Sequence, residues 1–205
     1  AETIRDLALA SSGLLVRKIG GPSVKPYQPK GIWESSTSGR GILARYIQDH
    51  GDKLYRRGLY SFIKRTVPPP GMLVFDASNR DQCEVNRMRT NTPLQALVIL
   101  NDPLILESAR VFAEQLMLQN SSAQEKIEVA FRSIVCRKPT AEELKILTNY
   151  YEEETKVNSR SPEKARKYIK TGEYPIADVK DVGSLAALMQ VVQTIYNMDE
   201  AITKT

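Results

Sequence analysis

The sequence predicts a mainly α, irregular helical domain with a long Pro/Gly-rich loop region in its N-terminal third. Two observations point to helices and a third to the loop. From residue 91 onward, a capping residue followed by proline, or by Glu/Gln three positions on, repeatedly precedes apolar residues at helical spacing. No run of alternating apolar and polar residues is long enough to suggest a strand-built core. Residues 20–41, GGPSVKPYQPKGIWESSTSGRG, carry Pro22, Pro26 and Pro29 among five glycines, which disfavours continuous helix and central strand alike. With 41% hydrophobic residues in a chain of 205, one substantial core is expected. The expected division is a loop-rich segment over 1–90 and a helical segment over 91–205 of a single domain.

Taken in order, residues 1–12 read as an amphipathic helix with Ile4, Leu7 and Ala8 near one face and Gly13 as breaker. The loop that follows has Val24, Tyr27, Ile32 and Trp33 as large side chains to pin it to the core. Residues 35–41 are expected to be mobile, and residues 42–48 to form a short helix ended by Gly51. The stretch LYRRGLYSFIKR, residues 54–65, fits a helix best. Leu54, Tyr55, Leu59, Phe62 and Ile63 occupy half of a helical wheel, opposite Arg56, Arg57, Lys64 and Arg65. Pro68-Pro69-Pro70 then ends regular structure and leads through GMLVFDASNRDQC, a loop with turn residues over 76–79.

The stretch RTNTPLQALVILNDP starts two helices ten residues apart. Thr92 caps the first, Pro93 suits its first position and Gln95 completes a capping box. Asp102 and Pro103 repeat the device for a longer helix through Leu104, Ile105, Ala109, Phe112, Leu116 and Met117. Proline disfavours helical geometry in the residue before it, so the chain turns a corner here. The first of these helices is apolar nearly all round, which predicts a buried element from which the second emerges toward the surface. Ser122 with Glu125, and Thr140 with Glu143, open the two arms of a helical hairpin joined at residues 136–139. Ser161-Pro162 starts a short helix closed near Gly172. Leu185, Leu188, Met189, Val192, Ile195 and Tyr196 mark a final buried helix.

The chemistry-bearing motifs are mostly absent. There is no Cys-x-x-Cys-His, and one histidine with two distant cysteines makes a poor zinc set, so no haem, metal or other cofactor is expected. Gly-x-Ser-x-Gly, the Walker lysine loop and the dinucleotide glycine pattern are also missing. A net charge of +5 permits attraction to anions, but the basic residues are scattered and no nucleic-acid motif accompanies them, so nucleic acid is not an expected partner. No apolar run approaches the roughly 18 residues that span a bilayer. His50 reads as a turn residue at a helix end, and Cys83 as a buried thiol. Cys83 and Cys136 leave one disulfide or none equally open. Asp76 and Asp81 read as ion-pair partners of nearby arginines, with Arg56 or Arg57 foremost, pairing with those carboxylates or with loop carbonyls to fix the loops to the helices. The candidate binding residues are Arg56, Arg57, Arg65, Asp76 and Arg80. No catalytic residue is assigned.

The stretch LYRRGLYSFIKRTVPPPGMLVFDASNRDQC and its continuation RTNTPLQALVILNDP, together with GGPSVKPYQPKGIWE, IRDLALASSG and YNMDEAIT, resemble the C-terminal part of the planctomycete-type PSD-one domain. This is a domain of unknown function found with planctomycete cytochrome c domains. The resemblance implies an extracytoplasmic setting (periplasmic, secreted or envelope-associated) and a domain incomplete at its N-terminus. It also implies partners within the same polypeptide, including cytochrome c-type or carbohydrate-binding domains. The expected function is a non-catalytic interaction or scaffold module. Two alternatives stand beside it. One is a hydrolase or redox enzyme with a site between the proline-rich segment and the helix at Pro93, near Asp76, Arg80 and Cys83. The other is an anion-binding module using Arg56, Arg57 and Arg65.

Overall fold

The computed structural model describes residues 1–36, 44–78, 80, 83–88 and 90–203. The chain is mainly helical. At its centre lies the helix Val182–Tyr196, started by the Asp181 side chain, which accepts from Ser184 N at 3.0 Å. Its apolar residues face all directions, so it is stable only when surrounded, and Leu185, Leu188, Met189, Val192 and Ile195 are all buried. Four of the helices around it, capped by Thr92, Asp102, Ser122 and Thr140, follow the capping grammar of the sequence, whereas the one after Ser161 starts at Pro162 without a side-chain cap. In chain order, α1 spans Glu2–Ser11, α2 Ile32–Ser35, α3 Pro70–Val74, α4 Pro93–Asn101 and α5 Pro103–Met117. They continue with α6 Ala123–Val135, α7 Ala141–Arg160, α8 Pro162–Ile169, the central α9 Val182–Tyr196, and α10 Asp199–Ile202, a short element the sequence did not signal. Full capping boxes form at Thr92, Ser122 and Thr140. Helices α6 and α7 make the expected hairpin, which Cys136 opens by taking a left-handed φ of 66°. No helix among the described residues is long and apolar enough to cross a membrane.

The expected roles of α4 and α5 are reversed. Helix α5 is the buried one: Ile105, Ala109, Phe112 and Leu116 join the main core with α9, while Leu104 and Val111 face a second cluster with Leu9, Leu14, Leu54 and Tyr55. Helix α4 lies outside, with Leu94 57% and Leu97 55% exposed while Gln95 and Ile99 are buried. Uniform apolarity in α4 therefore does not mean burial, because α1 and the loops cover α5 instead.

The N-terminal third is irregular, as expected, but residues 54–65 are not a helix. They form 3-10 turns at Gly51–Tyr55 and Gly58–Tyr60 with extended backbone between and after, where Arg56 pairs with Val16 and Ser61 with Val24 as isolated bridges. The wheel fails residue by residue: Arg56 on its polar half is buried, and Leu59 on its apolar half is 62% exposed. At Gly58 a Cβ would lie 3.0 Å from Glu2 Cα, so the absence of a side chain lets the start of α1 pack directly against this segment. Residues 44–48 are likewise not helical, and the rest of the short helix expected there lies outside the described residues, as does most of the expected mobile stretch. Trp33 pins the proline-rich loop by packing against Tyr46 and Phe62 at ring distances of 5.1 and 5.9 Å, whereas Ile32 stays at the surface. The triple proline does not end regular structure. Pro70 opens α3 from the first helical position, where its missing N–H costs nothing.

Candidate functional site

The corner between α4 and α5 is made by Asp102, which ends one helix in extended geometry and caps the next. Its Oδ1 accepts from Leu104 N at 2.9 Å and Ile105 N at 3.3 Å. Beneath this corner, α3 and the loop around Pro26–Pro29 leave a cleft of about 560 Å³. Its walls are largely apolar, with Ile4, Pro69, Phe75, Leu97, Val98 and Ile105 among them. Arg5, Gln28 and Asp102 are the polar groups of most interest. Arg5 donates through Nη2 to the carbonyls of Leu54 at 2.5 Å and Arg56 at 3.5 Å, but its Nε, like Nε2 of Gln28, is buried without a partner. Burial disfavours both charged groups, lowering the Arg5 pKa and raising that of the Asp102 carboxyl.

One wall of the cleft is fixed by a buried carboxylate on α5. Glu107 accepts from Tyr27 Oη at 3.1 Å, Tyr55 Oη at 3.1 Å and Tyr174 N at 2.6 Å. Tyr27, which also lines the cleft, accepts in turn from Glu173 N at 2.9 Å. One turn along α5, Arg110 pairs with Glu114 at 2.6 Å and donates to Tyr174 O at 2.7 Å. The loop at residues 172–174 can approach this closely because Gly172 takes φ +82° and has no Cβ. One built there would sit 2.1 Å from Glu107 Cδ. Burial, then the Glu107 charge, raises the pKa of both phenols. Their protons are committed to Glu107, so Tyr27 and Tyr55 act as clamps and not as bases. His50 is exposed but is not the turn residue at a helix end that was expected: its backbone is extended and it precedes the 3-10 turn Gly51–Tyr55, with Nδ1 2.7 Å from Glu173 Oε1. Among the described residues no three metal-ligating side chains come together, and the cleft holds no nucleophile–base pair.

None of the five residues singled out from sequence lines this cleft. Arg56 is a buried tie to loop carbonyls, as anticipated. It donates to the oxygens of Lys18 at 3.0 Å, Gly20 at 2.6 Å and Pro22 at 3.2 Å, and lies 3.8 Å from the Tyr60 ring centre. Arg57 pairs with Asp6 at 3.0 Å on the surface instead of with Asp76. Asp76, at φ 56°, holds a turn by accepting from Thr90 N at 2.9 Å and Thr90 Oγ1 at 2.8 Å. Arg65 and Arg80 are exposed, and Asp81 lies outside the described residues. Cys83 is exposed, which corrects the expectation of a buried thiol, since its segment packs loosely at the surface. Cys136 is also exposed, and both thiols are free. The sequence reading missed Arg5, Gln28 and Glu107, and took Asp102 only as a cap. A signal existed for one group: Glu107, Arg110 and Glu114 interrupt α5 at spacings of three and four, so charge falls along one stripe of a core helix.

The fold and its cleft thus define a mainly α domain with an apolar site framed by tied-down loops. Over residues 1–151 the sequence matches the model of the PSD1 family, described as a protein of unknown function (DUF1553), and the chain belongs to that family. No curated protein and no solved structure matches the chain. The matched region contains every residue that lines the cleft, and Glu107.

Proposed function

We propose that the domain is a non-catalytic interaction module and that the cleft, with the outer face of α4, is the surface on which it engages a protein segment. The observation that carries this reading is continuity. Leu97 lines the cleft and is also 55% exposed, in a ridge with Leu94 and Leu100 on the outside of α4. A pocket for a small substrate would not need three surface leucines beside its mouth, whereas a docked segment would cover them. The enzyme alternative is less well supported. The cleft does lie between the proline-rich segment and α4, but Asp76, Arg80, Cys83 and His50 do not line it. The resemblance of the sequence adds the setting: an extracytoplasmic multidomain protein in which the partner is another domain of the polypeptide, cytochrome c-type or carbohydrate-binding.

The test uses a neutral apolar dye such as Nile red. Saturable one-site binding is expected for the folded chain. It should be lost in Val98→Trp, which fills the cleft, with the melting temperature unchanged. Absence of saturable binding, or binding indifferent to that substitution, refutes the docking site.

A further inference from the structure

The cleft combines apolar walls with two opposite charges that attract each other but form no ion pair among the described residues. Arg5 makes its hydrogen bonds to carbonyls, and its Nε has no partner. Asp102 uses Oδ1 for the α5 backbone, and its Oδ2 accepts no hydrogen bond among the described residues. The α-amino group of Ala1 also borders the cleft; Glu2 Oε2, 3.9 Å from it, offsets its charge only in part, being itself paired with Arg87 at 2.8 Å. Gln28 adds a second buried donor without a partner, Nε2. An anionic ligand group would be attracted by Arg5 and repelled by Asp102, and a cationic group would meet the reverse. A neutral group that both accepts and donates suits both residues, and within an apolar enclosure of this size the chemistry that supplies it is an amide.

Building on the docking reading above, we propose that the occupant is an internal, uncharged apolar peptide segment. One backbone amide of it gives its carbonyl to the Arg5 and Gln28 side and its N–H to Asp102. An apolar side chain of the segment lies between the proline-rich wall and Leu97, and the flanking residues run over the α4 leucines. A free chain terminus, of either charge, is selected against by the same pair of residues.

Calorimetric titration of the whole chain with three probes tests this: acetyl-Leu-Phe-N-methylamide, the same dipeptide with a free carboxylate, and the same with a free amine. The blocked probe is expected to bind most tightly, with each charged probe weaker by about tenfold, a difference of about 1.4 kcal/mol. Binding of the blocked probe should vanish in Val98→Trp. Asp102→Asn keeps the helix cap, because asparagine caps as well as aspartate, and removes the negative charge. In that variant the free-carboxylate probe should rise to match or exceed the blocked one. Equal or tighter binding of a charged probe to the unaltered chain overturns the proposal, as does an unchanged ranking in folded Asp102→Asn. If that variant does not fold, the ranking on the unaltered chain decides alone. Dye binding without binding of the blocked peptide refutes this inference and leaves the docking site standing. Loss of both refutes the site itself.

Discussion

Two adjacent arginines should differ sharply in what they contribute to stability. Arg56 is 5% exposed and donates to three carbonyls of the loop at residues 18–22, while stacking on Tyr60. Hydrogen bonds to a charged group are worth about 1.5–3 kcal/mol each when buried, but this loop is near the surface and water can reach its freed carbonyls. At about 1 kcal/mol each, with about 0.5–1 kcal/mol for the stacking, Arg56→Ala should cost about 3–4 kcal/mol. Arg57 is a different case. It pairs with Asp6 while 55% exposed, and the Asp6 carboxylate keeps its bond from Gly58 N at 2.6 Å when the arginine is removed. Exposed pairs contribute about 0–1 kcal/mol, so Arg57→Ala should lie within that range. Urea unfolding followed by far-UV circular dichroism measures both, with the comparison made at unchanged m-value. For a chain of this length, the Arg56 loss corresponds to a fall in melting temperature of roughly 6–16 °C. If Arg56→Ala costs less than about 1 kcal/mol, or Arg57→Ala costs as much as Arg56→Ala, the view that side-chain donors hold this loop region in place is wrong.

Thr92→Ala should cost about 1 kcal/mol in the same assay, the usual loss on removing an N-cap, and a neutral result would mean that Gln95 alone holds the start of α4. Gly172→Ala should lose at least about 4 kcal/mol, combining left-handed strain with displacement of Glu107 from its hydrogen bonds, and a melting temperature within 2–3 °C of the parent would exclude the close approach. Arg137, then the Thr140 N–H, pulls the Glu143 carboxyl from its ordinary 4.5 down to about 2. A depressed folded-state value means that this stabilisation is complete above about pH 4.5 and is lost as pH falls toward 2. Arg137→Met should therefore flatten the stability profile in that window, and an unchanged acid limb would show the pair to be inert.

The long helices were legible because their starts are local chemistry. Thr92, Asp102, Ser122 and Thr140 all cap through side-chain oxygens within three residues of the helix they open. Burial was less legible, because it depends on what arrives from elsewhere in the chain. Helix α4 is more uniformly apolar than α5, yet α5 is the one enclosed, since Leu9, Leu14 and Leu54 cover its second face. Residues 54–65 misled for a related reason: a wheel treats Arg56 as solvent-facing and cannot show that three carbonyls from residues 18–22 surround it. The place of the cleft, between the proline-rich segment and α4, was legible, but its lining was not. Val98 and Asp102 are neighbours at the end of α4, but Arg5 and Gln28 come from distant parts of the chain, and no spacing rule brings them to that helix end.

The buried polar groups of α5 have a consequence for how the cleft works. Leucines in place of Glu107 and Arg110 would bury more apolar surface without the desolvation cost of charge. They would also release three separate segments. Glu107 holds Tyr27 and Tyr55, and with Arg110 it holds the backbone of Tyr174. Those segments have few backbone partners of their own, so side chains anchored on a core helix take the place that a sheet ladder has in other folds. Tyr27 is at once a ligand of Glu107 and a wall of the cleft, and Arg5 joins the cleft to the backbone at Leu54 and Arg56. The cleft is therefore shaped by folding alone. On the proposed docking reading, a bound segment would have to order only itself, because the ordering cost of the receiving loops has already been met in folding.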